Sequence, residues 1–259
     1  MSVESFLKFF LLWKIGILYV KIIDNLILGE LKLFKDIDKR LSLISSMVRE
    51  GSLLADVGCD HGILITHLAE ENIIKGGVAL DINEMPLQKA RLRIKSMDLE
   101  DRISCRLGDG LKLVKEDEAD DVVIAGMGGE LIFKIISQCQ WKYNKDKRFI
   151  VNPMTKAPFL RIAMAKEGYE LMEERAAEVN GKHYSIMKYG FTGEKKEFTE
   201  LDTFPYVGIL PQYLDEDARE YIEGQATMIK KKAEGLSRVN KEESERYMSL
   251  YEKLAEVLK

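Results

Sequence analysis

The sequence predicts an α/β protein in which a doubly wound, mostly parallel sheet ends in an antiparallel hairpin and is followed by a helical hairpin. Three observations indicate this class. From about residue 36, short apolar runs alternate with segments of helical period, which is typical of parallel strands covered by helices on both faces. Two adjacent strand patterns with Gly181 between them close this part. Beyond Pro211 the chain is nearly free of glycine and proline and repeats apolar residues at helical spacing.

The alternating part begins with an amphipathic helix that carries Leu41, Ile44, Met47 and Val48 and stops at Gly51. Five apolar runs then predict buried strands. The segments between these runs predict helices, because their apolar residues recur every three or four positions. The predicted strands are 53–57, 77–82, 103–107, 122–125 and 149–151, and the predicted helices are 63–72, 85–97, 130–139 and 159–167.

The last part of the chain predicts two hairpins of different kinds. The antiparallel strands are expected at 171–179 and 184–191. Two helices follow, the first marked by apolar residues from Tyr213 to Leu236 and the second by those from Tyr247 to Leu258, with a turn at 235–240. Two antiparallel helices of this length pack like a short coiled coil. We therefore expect a main α/β domain over 35–211 and a coiled-coil helical hairpin over 212–259.

Composition narrows the class of protein further. The chain has 259 residues, 46% of them hydrophobic and 32% charged, with a formal charge of −4, which fits a globular protein and excludes low-complexity disorder. Cys59, Cys105 and Cys139 are odd in number and widely spaced, so they indicate neither a disulfide framework nor a metal knuckle. We expect a cytoplasmic protein without a metal.

The first 34 residues form an apolar extension with no visible chemistry. Residues 6–28 are apolar enough to suggest a membrane, but charged residues leave 15–20 as the longest uncharged run. A spanning helix needs about 20 mostly apolar residues. We expect no stable membrane insertion. The extension is interpreted as a helix that packs on the domain, as one that touches a membrane surface, or as an upstream extension of the reading frame.

Functional side chains are expected where the strands end, because open α/β sheets bind ligands at that edge. The first predicted strand runs into Asp56, Gly58, Cys59, Asp60 and His61 before the next helix. Gly58 permits a sharp turn and a close approach of ligand to backbone. Asp60 stands where a dinucleotide loop would carry glycine. An acid there would repel a pyrophosphate but attract a sulfonium and an amino group, which favours S-adenosylmethionine (SAM) over NAD. Alternatively, Asp60 and His61 only cap the following helix.

Two further strand ends carry acids in the order that a SAM site requires. Asp81 and Ile82 end the second strand. Asp81 lies 23 residues beyond Gly58, a spacing at which an acid hydrogen-bonds a ribose. Asp109 and Gly110 follow the third strand, where a carboxylate and a backbone amide can hold an adenine edge. Each of these features alone is weak, since Asp81 also fits NAD enzymes and a Gly-Asp-Gly turn is common. Together they predict a SAM site.

The fourth strand ends in Gly126, Met127 and Gly128, and these residues indicate which kind of nitrogen atom the enzyme methylates. Methyltransferases that act on exocyclic amines commonly carry an Asn/Asp-Pro-Pro-aromatic tetrad here, and this chain lacks it. Glycines let a flat base approach the backbone, and the soft methionine side chain can pack on that base. A ring nitrogen with a free lone pair, such as N1 of adenine, has no proton to lose during methyl transfer. Proximity and alignment can then supply most of the acceleration.

These strings together resemble a known family. ADVGCDHGIL, LDIN, GDGL, VVIAGMGGELI and VNPMTKAPFLR, in this order, are similar to the TrmK-type tRNA (adenine-22-N1)-methyltransferases, over about residues 37–259. The resemblance implies a Rossmann-like class I SAM methyltransferase domain, a coiled-coil C-terminal domain, and methylation of N1 of adenine 22 in tRNA. It also implies that Asn152 and Pro153 lie beside the target base. The family's Tyr-Leu-Pro after Asp-His is Ile63-Leu64-Ile65 in this chain.

A tRNA substrate needs cations on one surface. Candidate phosphate contacts are Lys142, Lys145, Lys147, Arg148, Lys156, Arg161, Lys182, Lys188, Lys195, Lys196 and Lys230 to Lys232. Three other functions stay open on the residues alone: a SAM-dependent methyltransferase of a small molecule or protein, a non-catalytic SAM-binding or RNA-binding module, and an NAD oxidoreductase. The sequence does not indicate an oligomeric state.

Overall fold

The computed structural model describes residues 37–259, and the predicted extension over 1–34 lies outside them. Residues 38–259 form one compact unit. Its strands are β1 Ser52–Val57, β2 Ile74–Asp81, β3 Ile103–Leu107, β4 Asp121–Gly128, β5 Arg148–Thr155, β6 Tyr169–Val179 and β7 Lys182–Phe191. Its α-helices are α1 Lys39–Met47, α2 Ile63–Glu70, α3 Glu84–Ser96, α4 Gly129–Gln138, α5 Ala157–Glu167, α6 Phe204–Val207, α7 Glu216–Leu236 and α8 Lys241–Glu256. Short 3₁₀ turns occupy Glu116–Glu118 and Leu210–Gln212.

The seven strands form one sheet in the order β3-β2-β1-β4-β5-β7-β6. The first five strands pair in parallel, and β7 pairs antiparallel with both β5 and β6. The predicted doubly wound sheet with a closing antiparallel hairpin is therefore confirmed. The strand order reverses between β1 and β4, so the loops after these two strands border the crevice in which such sheets bind ligands.

The sheet is buried on both faces, as its continuous apolar strands require. Along β4, Val122 and Ile124 join one hydrophobic cluster while Val123 joins the cluster on the opposite face. This alternation follows from the period of two residues in a strand. The central strands therefore form a fixed platform from which only their carboxyl ends and the following loops reach a ligand.

The helical hairpin packs on the antiparallel edge of the sheet through a third hydrophobic cluster. Tyr221 and Ile222 of α7 and Leu250 of α8 lie in it together with Ala176 of β6. Asp215 caps α7 by accepting a hydrogen bond from the backbone N–H of Ala218 at 2.8 Å. The predicted helical hairpin is thus present. Its first helix begins at Glu216, after the predicted Tyr213, because the Asp215 cap sets the start.

A buried ionic network joins the helical hairpin to the sheet. Arg161 of α5 and Glu174 of β6 are both fully buried and lie 2.6 Å apart, Nη2 to Oε1. The guanidinium also donates to the Pro205 carbonyl oxygen at 2.7 Å and to the Tyr221 hydroxyl oxygen at 3.3 Å. Burial alone would lower the pKa of Arg161, and the nearby Glu174 carboxylate more than offsets this and raises it. The predicted phosphate contact at Arg161 is therefore wrong, because this cation has no access to solvent.

Within residues 37–259, no helix is both long and apolar enough to cross a membrane, and no three His, Cys, Asp or Glu side chains are grouped to hold a metal ion.

Candidate SAM and methyl-transfer site

The loop between β1 and α2 is built around three left-handed residues. Gly58, Asp60 and Gly62 have φ values of +72°, +49° and +67°. The backbone N–H groups of Gly58 and Cys59 both donate to the Leu80 carbonyl oxygen, at 2.8 and 2.9 Å. These bonds hold the loop over the carboxyl end of β2. Gly62 occupies the N-cap of α2 and makes no side-chain capping hydrogen bond, so neither Asp60 nor His61 is the N-cap residue of this helix.

Asp81 ties the first two strand ends together. Its carboxylate accepts hydrogen bonds from the backbone N–H of Asp60 at 3.3 Å and of Asn83 at 2.8 Å. Its backbone carbonyl oxygen accepts a bond from Gly108 at 2.9 Å, which draws the third strand end to the same edge. A carboxylate offers about four acceptor positions. Asp81 can therefore hold both loops and still accept hydrogen bonds from a ligand.

Asp56 carries a buried carboxylate whose second oxygen is unpaired. Oδ2 has no hydrogen-bond partner within the described chain. Burial raises the pKa of Asp56 to about 7, and the Asp81 charge adds to this while the backbone N–H of Ile65 lowers it. Buried polar atoms are nearly always paired, so an orphan acceptor at a strand end fits a ligand that donates a hydrogen bond. The neighbouring Cys59 thiol is also buried, and burial raises its pKa.

Asp60 and His61 extend from this loop toward solvent. The side chain of Asp60 is 69% exposed, and its Oδ1 lies 3.4 Å from His61 Nε2. The same imidazole nitrogen lies 3.1 Å from Lys89 Nζ. Ile82, at the next strand end, is also exposed. These side chains are therefore accessible to a ligand that covers the loop.

The third strand end places Asp109 and Gly110 at the surface. Asp109 forms an ion pair with Lys112, and this hydrogen bond lowers the pKa of the carboxyl group. Gly110 has a φ of +61°, and a Cβ there would lie 3.0 Å from Ile135 Cγ2. Both the conformation and the packing favour glycine at this position.

The end of β4 meets the first loop directly. A Cβ built on Gly58 would lie 2.3 Å from Met127 Cε, so the methionine methyl group rests on the glycine. Gly126 has a φ of +80°, and a Cβ there would meet no atom within 4 Å. A Cβ on Gly128 would lie 3.1 Å from Thr155 Oγ1. The edge of β4 thus combines open space at Gly126 with a soft side chain that reaches the predicted cofactor loop.

The end of β5 lies beside that edge, since Met127 pairs with Pro153 across the two strands. Asn152 is fully buried, and both ends of its amide are engaged. Its Oδ1 accepts a hydrogen bond from Arg40 at 3.2 Å, and its Nδ2 donates to the Ser185 carbonyl oxygen at 3.1 Å. The structure therefore brings Pro153 to the edge and holds the Asn152 side chain within the protein.

Comparisons with known proteins agree with this geometry. A family model described as a methyltransferase domain matches residues 37–187. The chain belongs to the methyltransferase domain family.

The methyltransferase is also similar to proteins of the TrmK type. It is 34% identical over 160 residues to the tRNA (adenine(22)-N(1))-methyltransferase of Bacillus subtilis strain 168, an alignment that spans 62% of this chain and 66% of that enzyme. The crystal structure of the B. subtilis m1A22 tRNA methyltransferase TrmK has a TM-score of 0.74 and 27% identity, covering 86% of this chain and 99% of that one. Sp1610 of Streptococcus pneumoniae, solved in complex with S-adenosyl-L-methionine, has a TM-score of 0.72 and 29% identity, covering 86% of this chain and 100% of that one. The predicted resemblance to TrmK-type enzymes is confirmed.

Some residues that organise the methyltransferase site carry no recognisable signal in the sequence. Arg40 of α1 contacts Asn152 across 112 positions of the chain, and Ser185 of β7 links Asn152 to the buried pair of Arg161 and Glu174. A paired arginine on an amphipathic helix has the same local pattern as a solvent-exposed one. Only the fold distinguishes them.

Burial also removes a second predicted phosphate contact. Lys147 is 7% exposed, and its Nζ lies 3.5 Å from Asp120 Oδ1. The prediction that Lys147 faces RNA is therefore wrong.

Proposed function

We propose that this chain transfers the methyl group of SAM to N1 of adenine 22 in tRNA. The observation that carries the proposal is the 34% identity to the B. subtilis enzyme of that activity. The geometry supports it independently, because the strand ends at Asp56, Asp81 and Asp109 converge on one edge next to Gly126 and Met127.

The proposed SAM site consists of the first three strand ends. Met127 Cε packs on Gly58, while the open space at Gly126 leaves room for a ligand to approach the backbone. The exposed Asp60 carboxylate and the orphan Asp56 oxygen suit the positive charge and the N–H groups of the methionine part of SAM. Asp81 suits the ribose hydroxyls. The complete proposed set is Asp56, Gly58, Cys59, Asp60, His61, Asp81, Ile82, Asp109 and Gly110.

The proposed reaction is a direct displacement. Bound SAM supplies an electrophilic methyl group on a sulfonium. The N1 lone pair of adenine attacks that carbon, the bond to sulfur breaks with its electron pair going to sulfur, and the positive charge passes to the adenine ring. No proton leaves N1 in this step, so the edge formed by Gly126, Met127, Gly128 and Pro153 has only to align the base, with Asn152 positioned behind it.

The test is methyl transfer from labelled SAM to an unmodified tRNA transcript with adenine at position 22. We expect labelled tRNA and a block to primer extension at that position, because N1-methyladenine cannot form a Watson–Crick pair. A transcript with guanine at position 22 is the matched control and should remain unlabelled. Equal labelling of both transcripts, or labelling of a small molecule or protein instead, would contradict the proposal. Stabilisation against heat by NAD but not by SAM would indicate the oxidoreductase alternative.

The remaining assignments are proposals on the same basis. Action on tRNA and three free cysteines fit the cytoplasm, where thiols stay reduced. We propose residues 35–211 as the methyltransferase domain and 212–259 as the helical hairpin domain.

A further inference from the structure

A groove runs beside the proposed methyl-transfer edge and has no role in the reaction described above. Its volume is about 980 Å³, and it lies between α5, the start of β7 and α7. Pro153 lines it, so the groove is continuous with the edge at which we place the target base. A segment of substrate that enters the proposed site therefore has a path along α5 toward the helical hairpin.

The walls of the groove carry exposed apolar side chains that the fold does not cover. Phe159 of α5 is 42% exposed and meets Phe133 edge to face, with ring centroids 6.1 Å apart. Met228 of α7 also lines the groove and is 47% exposed. Proteins that bind unpaired RNA stack its bases on such aromatic rings. Phe159 provides a suitable platform close to the target position.

The groove is lined by charges of both signs, and two of its lysines are available to a polyanion. Lys156 and Lys166 both line it, and neither has an ion-pair partner among residues 37–259. Lys156 directly precedes α5 and Lys166 lies in its last turn, so about 15 Å of helix axis separate the two positions. Three acids, Glu130, Glu167 and Glu200, line the groove as well. Glu167 accepts a hydrogen bond from the Tyr143 hydroxyl group, and Glu200 lies 3.8 Å from Nζ of Lys232, which also lines the groove. The two lysines are thus available at separate points and can contact two phosphates that are not adjacent in the strand.

We propose that this groove binds the unpaired nucleotides that adjoin the target adenine, with Phe159 stacking on a base and Lys156 and Lys166 contacting phosphates. The inference rests on the proposed function and adds a subsite to it. A peptide or protein partner would use the apolar wall without needing two separated cations, so RNA is the occupant that both features favour.

The test compares steady-state methylation of the tRNA transcript by the full-length wild type and by Phe159→Ala. We expect Phe159→Ala to raise the KM for tRNA by about 5- to 150-fold, the range that loss of one base–aromatic stack produces. The Kd for SAM should stay the same. Phe159→Tyr keeps a ring and should restore the KM, whereas Phe159→Leu should not. Tyr213→Ala is the matched control, since Tyr213 is 40% exposed and lies outside the groove.

A second variant tests the phosphate contacts. Lys166→Ala should weaken tRNA binding and reduce its dependence on salt concentration, because fewer counterions are released. Lys95→Ala, an exposed lysine on α3, is the control and should leave both unchanged. Full activity of Phe159→Ala and Lys166→Ala, or equal rescue by leucine and tyrosine, would overturn the groove assignment while leaving the proposed function in place. A wild type that does not methylate tRNA would overturn the proposed function, and the groove assignment with it.

Discussion

Replacing Arg161 with methionine should destabilise the protein more than any exposed ion-pair mutation. The change would leave the fully buried Glu174 carboxylate without its cation and would remove the donors to Pro205, Ser185 and Tyr221. Breaking a buried ion pair by removing one partner costs about 3–5 kcal/mol. A single domain has about 5–15 kcal/mol of stability in total, so this loss would be a large fraction of it.

The assay is urea unfolding followed by circular dichroism, with the free energy of unfolding extrapolated to water. A loss of about 4 kcal/mol corresponds to a fall in Tm of about 8–16 °C for a domain of this size. Arg91→Met is the matched control. Arg91 pairs with Glu84 at 2.5 Å, but both side chains are more than 40% exposed, so the expected loss is about 0–1 kcal/mol.

A double variant separates the orphaned charge from lost packing. In Arg161→Met with Glu174→Gln, no uncompensated charge remains at this site. The backbone N–H of Ile209 donates to Glu174 Oε2 at 2.8 Å, and the side-chain carbonyl of the glutamine can still accept this hydrogen bond. We expect this variant to recover a substantial part of the lost stability. A loss below about 1 kcal/mol in Arg161→Met, or a double variant no more stable than the single one, would refute the reasoning.

Three further variants test the proposed cofactor site. Asp60→Ala should weaken SAM binding, measured by calorimetry, with little change in Tm. Asp98→Ala is the control, because Asp98 is exposed and has a similar φ of +53°, and it should leave the affinity for SAM unchanged. An unchanged affinity in Asp60→Ala would remove Asp60 from the site. Gly58→Ala should weaken SAM binding by about tenfold, because the added Cβ would lie 2.3 Å from Met127 Cε and displace a side chain of the proposed site, in addition to left-handed strain of about 1–2 kcal/mol. Gly181→Ala is the control, because Gly181 has a φ of +74° and open space around its Cβ position. This variant should lower the free energy of unfolding without weakening SAM binding. Equal losses of SAM affinity in the two variants would contradict the placement of Gly58 in the SAM site. Asp56 has a raised folded pKa of about 7, so its ionisation costs stability as pH rises from about 4 to 7. Asp56→Asn should remove this pH dependence of the free energy of unfolding, measured by urea unfolding at several pH values. An unchanged pH dependence would show that Asp56 ionises freely.

The strand ends could be predicted from the sequence because their signals are local. An apolar run followed by glycines and an acid identifies the end of a buried strand, and the loop at Gly58 and Asp60 has the left-handed conformations that such residues adopt most easily. The third strand, Ile103–Leu107, matches its predicted bounds for the same reason.

The true length of β4 depends on its partner strand. The sequence predicts that it ends at Ala125, because the glycines that follow have low strand propensity. In the structure it continues to Gly128, where Met127 pairs with Pro153 and Gly128 with Thr155. Pairing with β5 supplies hydrogen bonds that local propensity does not include. The methyl-transfer edge is therefore a product of two strands that are well separated along the chain.

The functional meaning of each charge depends on its burial, which the sequence does not contain. Arg161 and Lys166 lie on the same helix and look alike in sequence, yet one is fully buried against Glu174 and the other lines an open groove. The same division separates Asp56, whose carboxylate is buried with a raised pKa, from Asp60, which is exposed four residues later. A formal charge of −4 therefore says little about RNA binding. Arg161 is buried against Glu174 and cannot reach a phosphate, so the electrostatic argument for RNA has to rest on the individual lysines of the groove.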